Sequence, residues 1–417
     1  GGWLSDAKID GKVVSGSQQQ WISRNCEWGS WQGGVWNMVH LGVVNPPANG
    51  APGTWNSKYP HTVIEKTPVI AEKPYLRMGD DGGIGVFVPG QKRDSIGCGW
   101  HDAAREAGAF LALDRFYIAK AGSDTAATMN SALAAGKHLL LTPGIYRLNE
   151  ALKVVKPGTI VLGLGMATLL PDQGNPAVEV ADVDGVRLAG LLIDAGAKES
   201  PYLVQVGAPG STQRHEQDPV YLYDIFCRIG GAGAANVAAA VIINSADVIG
   251  DHTWIWRADH GEGSGWTSSR GRNGLIVNGA HVSYYGLFVE HFQEYQTLWN
   301  GDDGRMVFYQ CELPYDIPSQ AAWSHGSGKG WAGYKVADAV KNHSASGLGI
   351  YSYFRDAAAS LDHAIEVPKA PGVRFTNMIG FWLTGKDGST VDHVINDAGE
   401  ASSKEHREAR LRSYPSD

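Results

Sequence analysis

Two glutamates 22 positions apart form the pair best equipped for chemistry: Glu290 in Leu287-Phe288-Val289-Glu290-His291, and Glu312 in Phe308-Tyr309-Gln310-Cys311-Glu312-Leu313-Pro314-Tyr315-Asp316. That separation is about one coil of a stacked β architecture, which would set the two side chains at equivalent positions on parallel strands about 4.8 Å apart. Like charges so close resist simultaneous ionisation, leaving one carboxylic acid able to protonate a departing oxygen. Glycoside hydrolysis needs that equipment. Two solvated, outward-facing carboxylates would show the same spacing, and the pair by itself only raises the odds of a site.

The surrounding rings shift that balance. Trp254, Trp256, Trp299, Tyr309, Tyr315 and Trp323 fall in the same few coils and are the candidate substrate-binding residues, because flat amphipathic rings suit sugar faces. Other signals are weaker. Asp302-Asp303-Gly304, with His260-Gly261 and His325-Gly326, resembles the acid pairs of polygalacturonases, but no Asn-x-Asp or Arg-x-Lys element accompanies it and a solvated turn is the better reading. Gly163-Leu164-Gly165 precedes no helix, so it reads as a coil turn and not a dinucleotide loop. There is no Gly-x-Ser-x-Gly elbow. No Asp/His/Cys cluster has metal-ligand spacing, so neither a metal nor another cofactor is expected.

The elements that must carry these residues are short Val/Ile/Leu/Tyr strands broken by Gly, Asn and Asp, with 54 glycines in 417 residues to turn the chain. Similar units recur from Asp184-Gly185-Val186, Ala246-Asp247-Val248, Ala280-His281-Val282, Arg305-Met306-Val307 and Pro371-Gly372-Val373, at uneven intervals that predict coils of one type with loops of different length. The stretch Ser123 to Gly136 predicts a short helix with a Ser/Asp cap, placed where it would close the open end of such a stack. The expected fold is all-β, a right-handed parallel β-helix of the pectin-lyase-like kind.

Four segments are expected. Residues 1–48, rich in Trp, Gly and Gln, read as the final coils of a first lobe. Residues 49–112, with the run Asn45-Pro46-Pro47 to Pro52-Gly53, read as a connecting segment. Residues 113–401 form a second, nearly complete lobe, and the charged residues 402–417 a surface helix or frayed tail.

A net charge of −8 and the lack of a Lys/Arg block interleaved with aromatics give no support for a nucleic-acid or membrane partner. Cys26, Cys98, Cys227 and Cys311 are scattered without a Cys-x-x-Cys, so one or two disulfides stay open. No apolar run reaches membrane-spanning length, and no signal peptide is evident. The chain opens at Gly1 without Met and reads as a processed or truncated piece.

The residues resemble glycoside hydrolase family 55, the exo-β-1,3-glucanases or laminarinases. The resemblance runs through Gly16-Ser17-Gln18-Gln19-Gln20-Trp21, Val35-Trp36-Asn37-Met38, Glu72-Lys73-Pro74-Tyr75-Leu76 and the Asp124-Thr125 opening. It is most specific from Gly286 to His291, at Trp299-Asn300-Gly301, and through Tyr309-Gln310 to Asp316. It implies two β-helical lobes with an active site between them, inversion at the anomeric carbon, Glu312 as general acid, and Glu290 with Gln18 and Gln20 ordering the attacking water. It also implies a serine near that water, whereas Met38-Val39-His40-Leu41-Gly42 has no hydroxyl. The expected protein is a secreted, monomeric exo-β-1,3-glucan hydrolase acting on laminarin-like chains. A catalytically impaired glucan-binding β-helix and another β-helical polysaccharide hydrolase are the alternatives.

Overall fold

The computed structural model describes residues 1–16, 18–47, 55, 59–100 and 107–415. Ser17 of the glutamine-rich segment, Pro52 and Gly53 of the proline-rich run, and Ser416 and Asp417 of the C-terminal segment lie outside the described residues. The chain divides into two compact units: Gly1–Phe116 with Ser346–Leu348, and Tyr117–Ala345 with Gly349–Asp417.

In the first unit, the strands Gly2–Ser5, Gln20–Arg24, Asn37–Leu41 and His61–Ile64 lie side by side in one parallel sheet. Lys8–Val14 and Glu27–Gln32 pair in a second parallel layer. Ile22, Met38, Val39 and Leu41 are buried on the first sheet, and Val13, Cys26, Trp28 and Val43 cluster against the second. This is coiled packing, and it continues past residue 48. The segment expected to connect the lobes adds His61–Ile64 to the parallel sheet, then turns antiparallel. Thr67–Ile70 pairs with Lys92–Ser95, and Tyr75–Met78, Ile84–Pro89 and Gly108–Ala112 make a three-stranded meander. Arg24, fully buried, anchors this part by a two-pronged ion pair to Glu72 at 2.8 and 2.7 Å.

Near the start of the second unit, after the strand Phe116–Ala119, comes the helix Ala126–Ala134. Its cap is Thr125, whose side chain accepts from the Thr128 amide while Thr128 reaches back to the cap amide. The Ser/Asp cap read from sequence is thus off by a residue, because Asp124 is engaged by the Tyr117 hydroxyl and the Lys120 amide. Ala126, Met129 and Leu133 point inward. Beyond the helix, strands alternate between two sheets. Ile160–Pro171, Arg187–Asp194, Tyr221–Ile229, Ile249–Arg257, Ser283–Glu290 and Gly304–Glu312 run through the twelve-stranded one; Val178–Val180, Ser200–Val206, Ala235–Ile243, Ser269–Val277 and Thr297–Trp299 run through the ten-stranded one.

Five successive strands of the longer sheet turn a corner midway. Gly190, Asp224, His252, Gly286 and Phe308 have φ of 68°, 47°, 61°, 71° and 67°, and the register of successive strands stacks them in a column. A left-handed residue costs little for Gly and more for the others, so the corner is built into each of these coils by repeated packing and not by glycine alone. Past the corner, faces alternate cleanly. Ile193, Cys227, Ile255, Val289 and Cys311 form a buried interior column, and Asp194, Arg228, Trp256, Glu290 and Glu312 occupy the opposite face.

The C-terminal segment is not the surface helix or frayed tail that its charge suggested. Ser402–Ser403 pairs antiparallel with Thr390–Ile395, and Glu408–Tyr414 pairs antiparallel with Gly372–Gly385, closing the end of the long sheet. Its charged side chains flank the inward-facing Ala409, which is how a polar sequence makes an edge strand. Cys26, Cys227 and Cys311 are buried free thiols, which removes the open disulfide question for these three.

Candidate active site

Glu290 and Glu312 are direct register partners at the ends of adjacent parallel strands. Neighbouring strands bring their backbones within about 4.9 Å, but each carboxylate is tied to a different neighbour. Glu290, 9% exposed, accepts a hydrogen bond from the Trp254 indole nitrogen at 2.8 Å. Glu312 accepts from Gln310 Nε2 at 3.2 Å and from the Tyr315 hydroxyl. One side chain is drawn back toward the preceding coil and the other toward the loop that follows its own strand.

That loop, Leu313 to Asp316, is fixed from beneath by Arg257. The guanidinium is fully buried and pairs with both oxygens of Asp316 at 2.9 and 2.7 Å. It also donates to the backbone carbonyls of Ser269, Gly265 and His291 at 2.6, 3.0 and 3.0 Å. A buried arginine so fully bonded is rigid, and it sets the turn that aims Tyr315 at Glu312. His291 sits between these parts. Its Nδ1 lies 3.1 Å from the Leu313 carbonyl oxygen, and its Nε2 is 3.9 Å from Glu312 and 3.8 Å from Asp259. Burial pulls the imidazole below its ordinary range.

Of the six rings proposed to meet sugar, three line this patch. Trp254, 37% exposed, stacks on Trp256 with ring centres 5.3 Å apart and planes at 18°. Tyr315 packs its ring against His291 at 4.3 Å. The assignment of Trp299, Tyr309 and Trp323 needs correction, because all three have no exposed surface. Trp299 lies over Tyr334 and His343 inside the coil, the Tyr309 hydroxyl donates to the Gly333 carbonyl, and Trp323 packs on Phe354. They are interior packing and cannot reach a sugar.

Gln18 and Gln20 belong to the first unit, Glu290 and Glu312 to the second. Gln18 is exposed; Gln20 is fully buried, and neither polar atom of its amide has a hydrogen-bond partner. Its register partner Asn37 has the same character. In the hydroxyl-free stretch, His40 Nε2 meets His61 Nδ1 at 2.9 Å, and burial depresses the two rings to about 3 and about 4, so both are neutral at physiological pH. Asp302 accepts backbone hydrogen bonds from Lys341 and Asn342, as a turn residue does.

Sequence reasoning missed Arg257, Asp259, His291 and Gln310 as parts of the site. Gln310 and His291 carried a usable signal, since they lie two residues before and one after the two glutamates.

Comparison with known proteins fits this geometry. Residues 116–312 match the model of the LAM55 pectate lyase-like domain. Over 405 residues the chain is 45% identical to an exo-β-1,3-glucanase of Streptomyces sp. (strain SirexAA-E / ActE), covering 97% of this chain and 65% of that protein. The chain therefore spans about two-thirds of the length of this curated relative, 65% of it. The structure of sacteLam55A from Streptomyces sp. SirexAA-E superposes with a TM-score of 0.94 at 43% identity, over 99% of this chain and 74% of that one. A variant of sacteLam55A in complex with glucose gives the same values, 0.94 and 43%. These likenesses carry the right-handed parallel β-helix.

Proposed function

Because the chain belongs to glycoside hydrolase family 55, whose LAM55 pectate lyase-like domain it contains, we propose that it hydrolyses β-1,3-glucans from a chain end, releasing glucose with inversion, with Glu312 as general acid. The observation that carries this reading is the separate tethering of two register-paired carboxylates. An inverting mechanism needs room for a water between acid and base, about 6.5–9.5 Å between carboxyl groups, more than strand spacing alone gives. Trp254 draws Glu290 away from Glu312, which favours that wider gap.

Each group then has a chemical task. Glu312 gives its proton to the glycosidic oxygen, and the hydrogen bonds from Gln310 and Tyr315 receive the charge left behind. Glu290 takes a proton from the attacking water. The Trp254 N–H holds one of its oxygens and leaves the other for that water. Gln18 and Gln20 are proposed as water-ordering residues, neutral amides that bind without adding negative charge. Trp254, Trp256 and Tyr315 offer the apolar surface for the sugar ring. The substrate is a polymer that cannot cross a bilayer, which supports a secreted enzyme; we propose that it acts as a monomer.

Incubation with laminarin, followed by NMR of the first products, tests the reading. Wild type should release α-glucose, and Glu312→Gln should lose about 100-fold or more in rate. Binding without hydrolysis by wild type would instead favour a glucan-binding protein, and undiminished hydrolysis by Glu312→Gln would remove Glu312 from the acid role.

A further inference from the structure

A proton donor must keep its proton before the reaction and tolerate negative charge after it. The hydrogen bonds that Glu312 accepts, from Gln310 Nε2 at 3.2 Å and from the Tyr315 hydroxyl, serve the second need only, since donors favour the carboxylate. Something must oppose them in the resting protein, and His291 is built to do so.

The Leu313 carbonyl oxygen 3.1 Å from His291 Nδ1 can only accept, so the ring proton belongs on Nδ1 and the lone pair on Nε2. Nε2 faces Glu312 Oε2 at 3.9 Å and Asp259 Oδ1 at 3.8 Å. The ring has little freedom to turn away. Its backbone is left-handed at φ 68°, Arg257 Nη1 holds its carbonyl oxygen at 3.0 Å, and the Tyr315 ring covers it at 4.3 Å.

The charges around it decide its state. Glu290, Asp259 and the Leu313 carbonyl would favour an imidazolium. Against them stand burial, which acts most strongly, and the Arg257 guanidinium, itself paired with Asp316; the balance falls below the ordinary range of a histidine. Arg355 adds a second cation at the rim, where it donates to the Asp259 carbonyl.

We propose, resting on the reading of Glu312 as the acid, that His291 is a positioning residue for its proton: the neutral ring turns the Nε2 lone pair toward the Glu312 carboxyl and so favours the protonated acid. The ionised Asp259 beside the same nitrogen adds to the effect. When Glu312 releases its proton to the leaving oxygen, Gln310 and Tyr315 take over as the stabilising partners.

His291→Asn separates this role from mere packing. Asn tolerates a left-handed backbone and can keep a side-chain N–H for the Leu313 carbonyl, while it lacks the second ring nitrogen. The alkaline limb of kcat/KM on laminarin should move to lower pH by about one unit. A folded variant with an unmoved limb overturns the proposal. Wild-type protein labelled with 15N at histidine gives an independent reading: between about pH 5 and 7 the His291 Nε2 resonance should be that of an unprotonated nitrogen, and an imidazolium signal there overturns the proposal. If Glu312→Gln keeps full activity, the reading of the acid has failed, whereas the NMR measurement still reports the state of His291.

Discussion

On the proposed reading, Trp254 joins substrate platform and chemistry in one side chain. Its ring stacks on Trp256 while its N–H holds Glu290, so the two functions can be pulled apart by substitution. Trp254→Phe keeps an aromatic surface and removes the donor. We expect kcat to fall about tenfold, with KM changed by less than about threefold, in steady-state assays on laminarin oligosaccharides. A KM effect without a kcat effect would make Trp254 a sugar platform alone. Far from this patch, His215 lies fully buried between Asp184 on Nδ1, at 2.7 Å, and Asp182 on Nε2, at 2.9 Å. Burial lowers its basicity, but the two aspartates outweigh it and hold the folded-state pKa above the ordinary value. Its contribution to stability is therefore complete below about pH 6.5 and is lost as pH rises through the higher folded value. The melting temperatures of wild type and His215→Gln should differ most in mild acid and converge in alkali; a gap that widens with pH would contradict the charged clasp.

At the scale of the element, the loop after Glu312 depends on a strand two coils earlier. Arg257→Met would leave Asp316 buried without its cation, at a cost of about 3–5 kcal/mol, measurable by denaturant unfolding. Adding Asp316→Leu should recover a good part of that loss, because the stranded charge goes with it. The strands themselves were legible from their short apolar runs, and the spacing of Glu290 and Glu312 marked equivalent places on neighbouring coils, which the register bears out. What could not be read was facing. Tyr309 follows directly on Phe308, whose left-handed backbone breaks the simple alternation of a strand, so the ring turns into the coil beside Thr297 and Gly333. Trp299 and Trp323 were misjudged in the same way, from neighbourhood in sequence and not from side. Arg257 stayed hidden because most of its partners are backbone carbonyls, which no residue pattern announces.

On the scale of the whole molecule, the second unit is a stack whose strength lies in continuity from coil to coil. Its last parallel strand, Gly372–Gly385, is covered by Glu408–Tyr414. Removing residues 402–417 should uncover that edge and produce concentration-dependent association, seen as a growing hydrodynamic radius in light scattering. A truncated chain that stays monodisperse would assign the closing role elsewhere. The in-register placement of Glu290 and Glu312 bears on how such a chain can change over generations. Stacks lengthen readily by duplicating a coil, and a duplication among the earlier strands would leave this pair untouched. One inserted between Ser283–Glu290 and Gly304–Glu312 would push the two carboxylates apart by a further strand spacing of about 4.8 Å and so uncouple the proposed donor from the proposed water. That junction is where growth of the stack and survival of the chemistry are incompatible.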